Sequence, residues 1–194
     1  MQDKDAFAER GRTLEEEYFR KKDRELIEKM KQAAAAEQAR RDMGTKTGLT
    51  DPDMLHELEE LGFTPETVSL LPLVPLVQMA WAEGGITKDE RKMLIDLAHA
   101  RGMTAGSPAE QQLNDWMARR PDDSVFTRAT RLIRAMLSVG GQTDLTADDL
   151  VKYCEAIASA SGGILGIIGK ISAEERALLK SLASELTTRG KAEG

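Results

Sequence analysis

Three carboxylates lie close together at a glycine turn and in the first residues of the predicted helix that follows it: Glu83, Asp89 and Glu90. Carboxylate oxygens are the ligands that hard cations such as calcium and magnesium prefer in proteins. One hypothesis is therefore a divalent-metal-responsive binding module at this turn. The alternative is structural, because Thr87 and Glu90 have the spacing of a capping box and Asp89 would complement the helix dipole. We favour the structural interpretation.

Arginines recur at every third position in Arg128, Arg131 and Arg134. Guanidinium groups bind phosphates and carboxylates in a bidentate way, so this basic patch could hold an anion or an acidic partner. No aromatic side chains are interleaved with the arginines, and Asp122 and Asp123 precede them. The formal net charge of the chain is −6. Both features disfavour nucleic acid as a partner.

Residues for covalent chemistry are few. The single cysteine, Cys154, shares an amphipathic spacing with Leu150 and Ile157 and is expected in the core. The two histidines, His56 and His99, are far apart in sequence. Because no nucleophile–base pair, metal cluster or phosphate loop stands out, we expect no enzymatic activity and no catalytic residue. Calcium or magnesium at the turn described above would be the only cofactor.

A glycine-rich segment, residues 162–170, precedes the last predicted helix. It lacks the Walker pattern, and no parallel strand comes before it. We interpret it as an apolar turn packed within the bundle. If it were exposed, it would offer a peripheral contact to a partner or to a membrane surface.

Helix-start signals recur after residue 50 and predict an all-α domain over residues 51–190. Asp51, Thr64 and Ser107 each precede a proline, which places a cap residue before the first helical position. Aromatic residues make up only 4% of the chain, which also favours helices. The predicted helices span 52–61, 65–82, 88–101, 108–118, 123–139, 147–161 and 173–188.

The second predicted helix is apolar on nearly all sides and should be the central, buried element. Pro72 and Pro75 predict a kink or a short break in it, near residues 71–74, because each proline removes a backbone donor.

The sequence contains an internal repeat. Residues 86–98 (ITKDERKMLIDLA) align without gaps on residues 171–183 (ISAEERALLKSLA), with six identical positions. Both copies contain a capping box, formed by Thr87 with Glu90 and by Ser172 with Glu175. The repeat predicts two related helical pairs packed with pseudo-twofold symmetry.

Residues 80–98 (AWAEGGITKDERKMLIDLA) resemble the tellurite-resistance TerB-like superfamily. Its hallmark is an apolar helix that ends in an acid–Gly turn, followed by Ile–Ser/Thr–x–x–Glu. The resemblance implies an all-helical bundle with internal symmetry, a link to stress response, and acidic residues that bind a metal. Glu83 would take the acidic position, and Glu90 that of the helix-opening glutamate, with Asp89 beside it. In the second copy, Ile168 stands in place of the first acid.

Residues 1–43 form a charged N-terminal helix in this interpretation. They contain eleven basic and eleven acidic residues, so residues 44–194 carry the whole net charge. The segment has one glycine and no proline, and residues 44–50 read as a linker with Gly44 as a helix C-cap. Its apolar residues are candidates for binding a partner: Phe7, Leu14, Tyr18, Phe19 and Leu26.

This N-terminal helix also resembles a short bacterial F-type ATPase inhibitor of the zeta type. The resemblance rests on a set that includes Phe7, Arg10, Phe19 and Leu26, and it implies an ATPase regulator.

The leading hypothesis is a non-enzymatic TerB-like adaptor or scaffold that binds a protein partner or self-associates through the N-terminal helix. The start of the sequence is charged and lacks an apolar core, so we expect no signal peptide and a cytoplasmic protein. No stretch is suited to cross a membrane.

Overall fold

The computed structural model describes the backbone of residues 2–139, 145–161 and 171–187, and the side chains of residues 17–139, 145–160 and 171–187. Within these ranges the chain forms α-helices and one 3₁₀ helix, without a strand, which confirms the all-α prediction. The α-helices are α1 (Gln2–Thr47), α2 (Pro52–Glu60), α3 (Val74–Ala80), α4 (Lys88–Ala100), α5 (Pro108–Ala118), α6 (Asp123–Ser138), α7 (Ala147–Ser161) and α8 (Ala173–Thr187). The 3₁₀ helix, Val68–Leu73, directly precedes α3.

The chain divides into two units, Met1–Ala39 and Arg40–Gly194. We call the first unit the arm and the second the globular unit. Helix α1 contributes to both, because its last turns belong to the globular unit. Met43 in these turns is 1% exposed and is part of the core.

Gly44 does not end α1, contrary to the sequence-based expectation. The helix continues to Thr47, through part of the predicted linker. Gly48, with φ of 77°, supplies the left-handed residue after the helix, and its N–H donates to the Gly44 carbonyl at 2.8 Å. Gly44 is instead a point of close approach, because a Cβ there would lie 2.8 Å from the carbonyl oxygen of Leu49.

The break predicted near residues 71–74 is present, because the 3₁₀ helix gives way to α3 at Val74. The start predicted at Pro65 is wrong. Residues 64–67 close a separate turn, in which the carbonyl of Thr64 accepts hydrogen bonds from the N–H groups of Thr67 and Val68. The remaining six predicted helices begin and end within one residue of the observed bounds.

Helix α3 is the central element of the globular unit, as predicted. It packs against α4, α6, α7 and α8, and every residue from Val74 to Val77 is buried. The 3₁₀ helix adds Leu70, Leu71 and Leu73 to the same core. Burial of aliphatic side chains on this scale is the main stabilising contribution to a helical unit with few aromatics.

Candidate functional site

The turn that leads into α4 places its three carboxylates in different surroundings. Thr87 caps the helix, and a reciprocal capping box forms with Glu90. The Glu90 Oε2 atom accepts hydrogen bonds from the Thr87 N–H at 2.7 Å and from its hydroxyl at 2.8 Å. Glu90 is 1% exposed, whereas Glu83 and Asp89 are exposed to solvent.

Glu90 is electrostatically unfavourable as an anion. Burial raises the pKa of its carboxyl, although the hydrogen bonds from Thr87 lower it, and the negative charges of Glu175 and Glu83 raise it further. Glu175 belongs to the second capping box, where it accepts the Ser172 N–H at 2.7 Å, and it is fully buried. The fold therefore brings the two repeat glutamates within electrostatic reach of each other, which the sequence did not predict.

A metal site needs several such ligands in one place. Across the side chains that the structure describes, no group of three His, Cys, Asp or Glu residues is arranged to hold a metal ion. Glu90 is occupied as a helix cap, and Glu83 and Asp89 are not gathered around it into a coordination shell.

The predicted basic patch is part of an ion-pair cluster between α2 and α6. Arg128 Nε donates to Glu57 Oε1 at 2.8 Å, and its Nη2 donates to Glu60 Oε2 at 2.5 Å. Arg131 donates to the other oxygen of Glu57. The side chain of Glu57 is only 7% exposed. Two of the three arginines in the patch thus neutralise acids of the same unit, and Arg134, which is half-buried, forms no part of this cluster.

Arg128 and Arg131 favour the charged form of the Glu57 carboxyl. Burial alone would raise the pKa of its carboxyl, but the hydrogen bonds and charges of Arg131 and Arg128 outweigh burial and hold the pKa below its usual value. The sequence predicts Arg128 and Arg131 as part of a basic patch, without their acidic partners. The sequence does show complementary charges on two amphipathic helices. It does not show which of these charges pair with each other.

A groove of about 600 Å³ runs beside this cluster. Its lining is mostly charged: Asp51, Asp53, Met54, His56, Glu57, Glu60, Arg128 and Arg131. His56 lies 3.5 Å from Glu59 and 3.4 Å from Glu60, through different ring nitrogens. Within this lining, Glu57 and Glu60 pair with the two arginines, and the Asp51 side chain caps α2 by accepting a hydrogen bond from the Asp53 N–H.

Cys154 and the histidines are held in structural positions. Cys154 is fully buried, and burial raises the pKa of its thiol to about 12, so the reactive thiolate is not formed at neutral pH. His99 Nε2 lies 2.8 Å from the Glu110 carboxylate at the start of α5. His56 pairs within α2, and neither histidine is hydrogen-bonded to the cysteine.

The arm presents apolar side chains to solvent. Tyr18 is 58% exposed, Phe19 62% and Leu26 58%, and Ile27 and Met30 are more than half exposed as well. Three of these residues, Tyr18, Phe19 and Leu26, were predicted to bind a partner. The rings of Tyr18 and Phe19 meet edge to face with centroids 5.9 Å apart.

The side chains of Phe7 and Leu14 lie outside the described residues, as does the glycine-rich segment 162–170. The partner-binding role of the first two and the packing of the third therefore stay predictions.

The fold places the described part of the chain in the all-α class. Comparison with known proteins assigns the chain to no family. No family model, curated protein or solved structure matches the chain. In the part of the chain that the structure describes, no helix is both long and apolar enough to cross a membrane.

Proposed function

We propose that this chain is a non-enzymatic helical adaptor, in which the globular unit is a platform and the arm docks onto a partner or a second copy. One observation carries the proposal. The arm exposes more than half the surface of Tyr18, Phe19, Leu26, Ile27 and Met30, whereas the globular unit buries most of its own large apolar residues. A helix with apolar residues at this spacing is a common recognition element.

We further propose a TerB-like architecture for the globular unit, with α4 and α8 as the related helices of an internal repeat. Support comes from the matching capping boxes of Thr87 with Glu90 and Ser172 with Glu175. Burial of both glutamates is a shared feature beyond the cap itself. A role in stress response is the setting that this resemblance implies.

The adaptor proposal is tested by removing the arm and keeping the core intact. The shortened chain should begin at Arg40, because Met43 is a core residue and the Arg40 Nη1 atom donates to Glu59 at 2.6 Å. We expect its thermal unfolding to match that of the full chain. We also expect arm-dependent association, measured by light scattering and by partner capture, to be lost.

The full-length double variant Phe19→Ser/Leu26→Ser is the matched control, since it keeps the chain length. It should lose the same association. If both variants associate as the full chain does, the arm is not the docking element.

Two other functions remain predictions from the sequence. A metal-responsive module would show heat in calorimetry with calcium or magnesium that Glu83→Gln abolishes. An ATPase regulator would require the full chain to inhibit F1 through the arm. Neither has an observation in its favour among the described residues.

A further inference from the structure

The side chains of the arm are described from residue 17 to residue 39, and those of residues 17–34 form an amphipathic pattern. Helix α1 turns about 100° per residue, which places Phe19, Leu26 and Met30 within about 40° of arc. These side chains are 62%, 58% and 64% exposed. Ile27 and neighbouring alanines widen the apolar surface to about 120° of arc. We call Phe19, Leu26, Ile27 and Met30 the docking face.

Basic side chains border the docking face along both edges. Lys22 and Lys29 follow one edge, and Arg20, Arg24 and Lys31 follow the other, when they are projected at the same helical pitch. Long basic side chains in such rows can lay their methylene stems along an apolar surface and extend their charges beyond it.

The acids occupy the opposite side of the helix. Glu17, Glu25 and Glu28 project there, together with one base, Lys21. Asp23 lies among the apolar residues, and Glu37, just beyond this range, projects onto the same side of the helix. Residues 17–34 therefore present apolar surface at the centre, positive charge at both borders, and most of their negative charge on the far side.

This arrangement disfavours a second arm as the occupant. Two docking faces packed together would bring basic rows of one copy against basic rows of the other, and like charges facing each other across an interface cost free energy. A surface that fits residues 17–34 must be apolar where it contacts the docking face and negatively charged where it contacts the two basic rows. A lipid interface with anionic headgroups has both properties along its whole plane.

We propose that residues 17–34 lie in the plane of an anionic lipid surface, with the docking face at the acyl boundary and the two basic rows among the headgroups. This inference rests on the proposed docking role of the arm and names the surface that residues 17–34 fit. The acids on the far side of the helix then point into water, away from the anionic surface that would repel them.

Vesicle flotation of the full chain tests this proposal. The probes are vesicles of phosphatidylcholine alone and vesicles with about 30 mol % phosphatidylglycerol added. We expect binding to the anionic vesicles that falls steeply with salt, and binding at least about tenfold weaker to the neutral ones. Phe19→Ser/Leu26→Ser should weaken anionic binding by about tenfold or more, because it removes two of the four large apolar side chains of the docking face.

Two single variants that each remove one positive charge distinguish the effect of a charge's position on vesicle binding from the effect of net charge. Lys29→Gln removes a border charge and should weaken binding by about fivefold. Lys21→Gln removes a charge from the far side and should change binding by less than about twofold. Equal losses in both variants, or no loss in the serine double variant, would overturn the docking geometry.

The outcome also separates this inference from the adaptor proposal. If anionic vesicles do not bind while association with protein or a second copy still requires Phe19 and Leu26, the lipid surface is wrong and the adaptor stands. If neither vesicle binding nor arm-dependent association is found, both are wrong.

Discussion

The arm and the globular unit contain similar residues in opposite surroundings. Leu76 in α3 is fully buried, whereas Leu26 in the arm is 58% exposed. Glu57 is held by two arginines at hydrogen-bond distance, whereas Glu25 in the arm meets Lys22 only at 3.8 Å, with both side chains about half exposed. Among the described residues, the globular unit buries or pairs these side chains, whereas the arm leaves their counterparts exposed to solvent.

The difference in burial indicates that the globular unit supplies most of the stability of the chain. An isolated helix is marginally stable in water, because most helical stability in proteins comes from packing of an apolar face. The exposed face of the arm contributes little to folding and is therefore available for binding.

Leu76→Ala should destabilise the globular unit by about 3 kcal/mol, because it removes a fully buried side chain and leaves a cavity. Leu26→Ala is the matched control in the arm and should change the free energy of unfolding by less than about 0.5 kcal/mol. Urea unfolding followed by the fluorescence of Trp81 and Trp116 reports on the globular unit. A comparable loss in both variants would show that Leu26 is also covered by the fold.

Gly44→Ala should cost about 2 kcal/mol in the free energy of unfolding, because the new Cβ would lie 2.8 Å from the Leu49 carbonyl. Gly85→Ala is the control, since nothing lies within 4 Å of the added carbon there. Its unfolding midpoint should stay near that of the parent chain. If Gly44→Ala is neutral, α1 does not enter the globular unit as closely as the fold indicates.

Glu57→Gln should destabilise the chain by about 1 to 2 kcal/mol, because it removes the charged partner of Arg128 and Arg131. Glu25→Gln in the arm should have an effect below about 0.5 kcal/mol, as is usual for exposed pairs. Denaturant unfolding of the two variants side by side gives the comparison.

The Glu57 effect also has a predicted pH dependence. Because the folded-state pKa of Glu57 is lowered, its contribution is fully present above the ordinary pKa of 4.5 and is lost as the pH falls through the folded value. The difference between parent and variant should therefore vanish in acid. A difference that persists unchanged at low pH would contradict the ion-pair assignment.

Glu90→Gln should have the smallest effect, and its pH dependence should have the opposite sign. Because burial raises the folded-state pKa of Glu90, its favourable contribution is fully present below the ordinary pKa of 4.5 and is lost as the pH rises through the folded value. The uncharged glutamine keeps a capping oxygen for the Thr87 N–H, so the variant should gain stability relative to the parent as pH rises.

Thermal melts at several pH values measure this trend. Glu90→Ala is the control, because it loses the cap at every pH. A constant difference between Glu90→Gln and the parent would show that the carboxyl is not destabilised as an anion.

Local signals explain how much of the fold could be predicted. Cap residues such as Asp51 and Ser107 and the prolines that follow them act within one turn, so helix bounds were accessible from the sequence. Pro72 and Pro75 located the break before α3 for the same reason. The role of Gly44 was not accessible, because the Leu49 carbonyl approaches it only after the chain turns back.

The candidate site was predictable only in its parts. The sequence indicated the capping boxes of Glu90 and Glu175, but not that the charge of Glu175 acts on a buried Glu90. It indicated Arg128 and Arg131, but not that Glu57 holds them. Both relations depend on which helices are neighbours in space, and spacing along the chain does not contain that information.

Hydrogen–deuterium exchange of the full chain tests the division between arm and globular unit most directly, since both are measured in one sample. We expect amides within residues 20–36 to exchange about a thousandfold faster, or more, than amides of α3, which open only on global unfolding. Comparable protection in the two segments, at a concentration where the chain is monomeric, would contradict this division, because it would mean that the chain itself covers the arm.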